Sequence, residues 1–301
     1  MSMQTPWAIQ TTTRDHDLRT YSAHVQPVSG AMGAYVDGLD ITTLDDTGFA
    51  ELERLLHDFK AVMLRGQPGD LSVADYVTFG RRLGELAIDP YVDPPFPEHP
   101  EVMGLVRDAD STAYNFGGDW HSDGSYLEHP GGLTVLWGKD VPTHGGDTLF
   151  ADMELAWETL TPAFRDMLDG RRCLHAATGL GQKVAIRQKG DYIGLDRSAD
   201  LERIERYHPI KRTHPVTGSH SLFVNQAYSV QIEGCSDDES AAILRFLFDH
   251  SRHPALTARM VWQPNTVLVW DNRVTTHYAI GDYGGQRREM YRLAVTGEAP
   301  I

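Results

Sequence analysis

Trp120-His121-Ser122-Asp123 places a histidine and an aspartate two residues apart. In an extended strand, residues i and i+2 point to the same side, so both side chains can face one metal ion. A third ligand must come from elsewhere in the chain. His277, in WDNRVTTHYA, is the leading candidate. Two histidines and one carboxylate on one face leave three coordination positions open, a set that suits non-haem Fe(II). The same donors can also hold zinc with a water. An HxD pair is weak on its own, because a chain with 14 His and 42 Asp and Glu produces such pairs by chance.

These residues must be positioned by the surrounding elements. Residues 22–36 read as short strands with turns at Gly30 and Gly33. Phe49, Leu52, Leu55, Leu56 and Phe59 recur at helical spacing over 45–60, with Asp45 or Thr47 as the N-cap. A short buried strand follows at 61–65. A second helix covers 72–83 and stops at Gly84. Residues 89–100 hold five prolines and read as an irregular loop. Strands are expected at 132–137, 221–225, 258–271 and 288–297, with a loop between the last two. Two helices are expected in 151–169, the second with Pro162 at its first position. A strongly amphipathic helix is expected over 236–252, capped by Ser236 or Asp237. Residues 171–220 show no clear period and read as an insertion between strands. The pattern is mainly β with helical insertions, a β-sandwich or jelly roll. No Pro/Gly/Ser linker divides it, so residues 1–301 are expected to form a single domain.

Of the 301 residues, 41% are hydrophobic and 23% are charged, an ordinary globular balance. The net charge of −15 argues against nucleic acid and anionic membrane as partners, since both call for clustered Lys and Arg. Only Cys173 and Cys235 are present, which excludes a disulfide framework and points to a reducing compartment. The polar N-terminal stretch lacks the apolar core of a signal peptide, and no apolar run is long enough to span a bilayer. The expected location is the cytoplasm.

WHSDGSY (120–126), GGDTLFADM (145–153) and WDNRVTTHYAIGDYGGQRREMYR (270–292) closely resemble the TauD/TfdA family of Fe(II)/2-oxoglutarate-dependent dioxygenases. VMLRGQ…FGRRLGEL (62–86) and ESAAILRFLFDH…WQPNTVLVWDN (239–272) resemble it as well. The resemblance implies a cupin-like double-stranded β-helix. It assigns iron to His121, Asp123 and His277, with no catalytic residue beyond those ligands. It implies 2-oxoglutarate and O2 as cosubstrates, with Arg288 and Thr148 holding the far carboxylate of 2-oxoglutarate. That pairing is sound chemistry, because a guanidinium fork matches a carboxylate and a hydroxyl adds a donor. Family halogenases replace the ligand carboxylate with a small residue. The aspartate retained here favours hydroxylation, with C–S, C–O or C–N cleavage where the product is unstable.

On the substrate side, the resemblance places Arg292 opposite the acidic group of a small carboxylate or sulfonate. Arg288, Met290 and Arg292 would share one strand face, with Arg287 turned outward. Asp89 stands where taurine dioxygenase has a histidine, which counts against taurine and suits an amino acid or other amine-bearing acid. Tyr91 and Tyr228 are expected to line the same pocket. A homodimer or homotetramer is the family expectation. Trp120 and Trp270 read as packing beside the site. His144, His175, His208, His214 and His220 lack ligand spacing and read as structural or surface residues. Two other functions fit the metal half-site: a non-catalytic metal-binding protein, and a zinc hydrolase. A 2-oxoglutarate clamp argues against the first, and no HExxH motif accompanies the second.

Overall fold

A computed structural model describes residues 17–89, 94–111, 116–177 and 204–301. Strand β1 (His24–Pro27) pairs antiparallel with β2 (Ala34–Asp37), and β2 runs parallel to β3 (Ala61–Arg65). Helix α1 (Asp46–Phe59) links these two strands, with the Asp45 carboxylate accepting from Gly48 N as its cap. Helix α2 (Val73–Leu83) starts from a Ser72 cap and stops at Gly84. Both helices follow the hydrophobic spacing read from the sequence.

Next come β4 (Met103–Arg107), β5 (Gly131–Asp140) and β6 (Thr148–Asp152). Two short helices follow, α3 (Met153–Glu158) and α4 (Pro162–Leu168). Strands β7 (Arg172–Ala176), β8 (Glu205–Pro209), β9 (Lys211–Thr213), β10 (His220–Leu222) and β11 (Ser229–Ile232) lead to α5 (Asp237–Ser251). A full capping box between Ser236 and Glu239 starts α5. The chain ends with β12 (Thr257–Met260), β13 (Thr266–Asp271), β14 (Thr275–Ala279) and β15 (Arg288–Thr296).

The largest sheet has seven strands in the order β1-β2-β3-β13-β5-β15-β4. A second sheet has the order β12-β6-β14. Alternation along the strands defines two cores. Leu268 and Trp270 of β13, Leu136 of β5 and Met290 of β15 face Phe150, Ala151, Ala258 and Met260 of the smaller sheet. Val267, Val269, Val135 and Leu293 point the other way, onto Leu52, Leu55, Tyr76 and Phe79 of α1 and α2. Each fully buried Leu, Phe or Val contributes about 1.5–3 kcal/mol of transfer free energy. One face of the large sheet is thus closed by helices and the other by a second sheet, giving a mainly β jelly roll carrying helices.

Four local readings need correction. Residues 258–271 are two strands in different sheets. Pro264 and Asn265, the latter with φ 55°, turn the chain between β12 and β13. The expected loop after residue 271 contains β14, which pairs antiparallel with β6. Its sequence TTHYA is too polar and too short to stand out. The strand expected at 221–225 is only β10, His220–Leu222. His121 and Asp123 do not lie in a strand: His121 makes an isolated bridge to His277, and Asp123 opens a turn. The described part of 171–220 holds three strands, β7, β8 and β9, and the first residue of β10, and Cys173 and Ile210 join the inter-sheet core. Among the described residues no helix is long and apolar enough to cross a membrane.

Candidate metal and cosubstrate site

The site lies at the edge of the smaller sheet. His121 N donates to His277 O at 3.0 Å, and His277 N donates to His121 O at 2.8 Å. That bridge sets the two rings 4.1 Å apart. After it the chain turns, and Gly131 N donates to Asp123 O at 3.1 Å. The turn achieves what a strand would have achieved, bringing Asp123 back beside both rings. One ligand atom from each of His121, Asp123 and His277 lies within 4.8 Å of the others. His121 Nε2 is 3.6 Å from Asp123 Oδ1, and His277 Nε2 is 3.8 Å from the same oxygen.

The protonation pattern suits a cation. His121 Nδ1 lies 2.7 Å from the Asp119 carbonyl, which can only accept, so Nδ1 donates there and Nε2 is the nitrogen turned toward Asp123. Burial, and then His121, hold His277 well below the usual imidazole range, so it stays neutral. Phe150 and Trp270 wall its ring, at 5.7 and 4.8 Å. Burial alone would raise the Asp123 carboxyl. Arg292, followed by the two histidines, carries it well below the usual range. Two imidazoles and one carboxylate converging on one point are a facial donor set for a divalent transition metal.

Arg288 opens β15 and is buried, at 8% exposure. Among the described residues its Nη2 has one long contact, 3.4 Å to Gly146 O, and its Nε has no hydrogen-bond partner. Burial pushes its pKa down. The nearby Asp147 is occupied by Arg259 at 2.6 Å. Gly146 permits this approach: its φ is +70°, and a Cβ there would sit 3.1 Å from the Tyr283 ring and 3.5 Å from Arg288 Nε. Thr148 lies on β6 opposite Ala279, two residues along β14 from His277. Its hydroxyl accepts from Trp262 Nε1 at 3.1 Å, which leaves its own proton for another acceptor.

On the other side of the triad, Arg292 Nη2 contacts Asp123 Oδ2 at 2.9 Å. The negative charge of exposed Asp89 also favours the Arg292 cation. The Tyr228 ring stands edge-on to His121 at 6.3 Å and to Tyr126 at 4.9 Å. The structure thus brings Arg292 and Tyr228 to the triad, with Asp89 close enough to act on Arg292. Tyr91 lies outside the described residues. Arg287 is turned out toward Asp108, Asp140 and Glu289.

The taurine catabolism dioxygenase TauD, TfdA family model matches residues 24–294. The chain belongs to this family. It is a 2-oxoglutarate-dependent dioxygenase, and it takes 2-oxoglutarate together with a metal on His121, Asp123 and His277. The dioxygenase is 32% identical over 288 residues to an alpha-ketoglutarate-dependent sulfonate dioxygenase of Saccharomyces cerevisiae, covering 92% of this chain and 68% of that one. It is 35% identical over 183 residues to a putative sulfonate dioxygenase of Schizosaccharomyces pombe, a match spanning 60% of this chain and 45% of that protein. A solved structure described as a putative alpha-ketoglutarate-dependent taurine dioxygenase from Burkholderia xenovorans superposes with a TM-score of 0.78 at 29% identity. It covers 93% of this chain and 94% of that one. The jelly roll is therefore the double-stranded β-helix of the family.

Two residues that sequence reasoning missed stand behind Asp123. Thr134 on β5 donates to Asp123 Oδ2 at 2.6 Å, and Asn272 Nδ2 donates to Thr134 Oγ1 at 2.8 Å. Only their placement, in GLTVLW and in the WDN stretch before His277, could have flagged them. Of the five histidines read as non-ligands, His175, His208 and His214 are buried and His144 and His220 are at the surface. His175 lies between Ser125 and Ser229, and burial lowers its pKa to about 3.

Proposed function

We propose that the metal is Fe(II), and that the dioxygenase uses it with O2 and 2-oxoglutarate to oxidise a small acid, one that also bears an amine. The single observation that carries this reading is Arg288, a buried guanidinium without a carboxylate partner among the described residues. An unpaired buried cation is costly, so it is retained where an anion arrives to meet it. Arg288 with the Thr148 hydroxyl would take the far carboxylate of 2-oxoglutarate. Bound Fe(II) would supply the oxygen chemistry, and this chain's residues would supply position and charge.

Arg292 would meet the acidic group of the substrate, with Tyr228 as a pocket wall. The sulfonate substrates named for the yeast relatives support an anionic group there. Two carboxylates, Asp123 and Asp89, already act on Arg292. A plain anion must compete with both, whereas an amine-bearing acid brings a cation for Asp89. The test is succinate release with Fe(II) and 2-oxoglutarate across amino acids, N-substituted amino acids, sulfonates and aryloxyacids. An amine-bearing acid should stimulate release most. If no member of the panel stimulates it above a substrate-free control, the substrate reading fails. If the strongest response comes from an acid without nitrogen, Asp89 has no amine to meet.

A further inference from the structure

Asp123 Oδ1 faces the two histidine nitrogens, and its other oxygen, Oδ2, is held by a directed chain of hydrogen bonds that starts at an indole. Trp270 Nε1 donates to Asn272 Oδ1 at 3.0 Å, and Asp123 N donates to the same oxygen at 3.4 Å. An indole N–H and a backbone N–H can only donate, so the amide oxygen of Asn272 must face them. Its NH2 then faces Thr134 and donates to Oγ1 at 2.8 Å. With that lone pair engaged, the Thr134 proton goes to Asp123 Oδ2 at 2.6 Å. Every bond in the chain has one permitted direction. Thr134 is fully buried and Asn272 nearly so, which removes water as a competing partner. Gly131 lets the strand close on this group, since a Cβ there would lie 3.3 Å from Asn272 Nδ2 and 3.5 Å from Asp123 Cβ.

We infer that Thr134, directed by Asn272, is a positioning residue that pins Asp123 Oδ2 and so presents Oδ1 to the metal. Arg292 is the second donor to Oδ2, at 2.9 Å, but it is a mobile one in chemical terms: a substrate acid would draw on the same guanidinium. The Thr134 hydroxyl has no such second claim. It keeps the carboxylate in one rotamer while Arg292 is shared. The inference rests on the metal reading of the triad.

Co(II) bound by the full-length protein provides the readout, through equilibrium dialysis and its visible ligand-field spectrum. Thr134→Val keeps the shape and removes the hydroxyl. It should weaken Co(II) binding about tenfold and shift the spectrum, as loss of a group orienting a ligand does. Thr134→Ser restores the hydroxyl and should return both to near the wild-type values. Asn272→Asp replaces the amide donor with an acceptor, so the Thr134 proton turns away from Asp123. It should match Thr134→Val although Thr134 itself is intact. Melting of the metal-free proteins checks folding. Should Thr134→Val not fold, the contrast between Thr134→Ser and Asn272→Asp carries the same decision. Wild-type affinity and spectrum in Thr134→Val overturn the inference, as does a Thr134→Ser protein as impaired as the valine variant. Failure of the wild-type protein itself to bind Co(II) would sink the metal reading instead.

Discussion

Two buried arginines divide the molecule into two kinds of charged interior. Arg288, on the strand that also carries Arg292, has among the described residues a single long carbonyl contact and an unpartnered Nε. Arg212, fully buried on β9, also leaves Nε and Nη1 without hydrogen bonds, yet its Nη2 reaches Glu298 at 2.7 Å. That pair continues into a network: Arg273 spans Glu298 and Asp271, and Asp271 also takes His214 at 3.1 Å. Burial lowers the pKa of both arginines, but at Arg212 Glu298 and Asp271 oppose the effect. At Arg288, among the described residues, Tyr283 and Asp147 do, and Asp147 is already claimed by Arg259. Burial of a cation is therefore not what marks the site. The mark is burial without a counter-anion, which the fold tolerates where a ligand supplies one.

The strongest way to break this comparison is Arg288→Met. If the charge awaits 2-oxoglutarate, the KM for 2-oxoglutarate should rise about a hundredfold or more, roughly 3 kcal/mol, the usual consequence of removing one partner of a buried charge pair. Co(II) affinity should stay near wild type, and urea unfolding of the metal-free protein should show equal or greater stability. A large loss of stability with an unchanged KM would place Arg288 among the structural charges.

Asp271→Asn tests the compensated side. It leaves Arg273 and His214 facing a neutral amide, and should cost about 3 kcal/mol of stability at pH 7 by urea unfolding. The pH dependence has a defined sign. Burial would raise the Asp271 carboxyl, but Arg273 and His214 outweigh it and hold the group below its ordinary value. Its contribution is thus present above the unfolded carboxylate pKa of about 4 and is lost as pH falls below it. The gap between wild type and Asp271→Asn should narrow from pH 5 downward. A gap that stays constant would mean that the ion pairing is not what Asp271 contributes. The KM for 2-oxoglutarate should not move in this variant.

Arg212→Met is a milder version of the same test. Its partner Glu298 is 40% exposed, so the carboxylate left behind regains water. About 1–2 kcal/mol of stability should be lost, with the Phe223 contact at 4.7 Å retained as packing. Loss of 2-oxoglutarate affinity here would blur the distinction between the two regions.

The contrast also explains what could be read before the structure was known. Helices α1, α2 and α5 were legible because their apolar spacing and caps are local. The triad was legible through an HxD pair and three ordered motifs, although the supposed strand under His121 and Asp123 is a bridge and a turn. β14 was lost because Thr275-Thr276-His277 carries no apolar alternation and takes its order from β6. By residue type alone Arg288 and Arg212 look alike, and before the fold only the resemblance over 270–292 set Arg288 apart. Only the fold decides that Glu298, 86 residues away, reaches Arg212. Thr134 and Asn272 were missed for the same reason: their bond joins residues 138 apart, and neither type signals a metal site.

Arg287→Ala sharpens the comparison from its smallest end. Arg287 is the immediate neighbour of Arg288, just before β15, and its side chain is turned out to surface carboxylates. It is 42% exposed and contacts Asp108, Asp140 and Glu289 at 3.4, 3.1 and 2.6 Å. Solvent screens these pairs, so three ion pairs here are worth less than one missing partner next door. The variant should change stability by no more than about 0.5 kcal/mol and leave the KM for 2-oxoglutarate unchanged. A KM shift approaching that of Arg288→Met would mean that the cosubstrate carboxylate responds to general positive charge at this end of β15. No shift means that it responds to Arg288 itself, whose guanidinium has no carboxylate partner among the described residues.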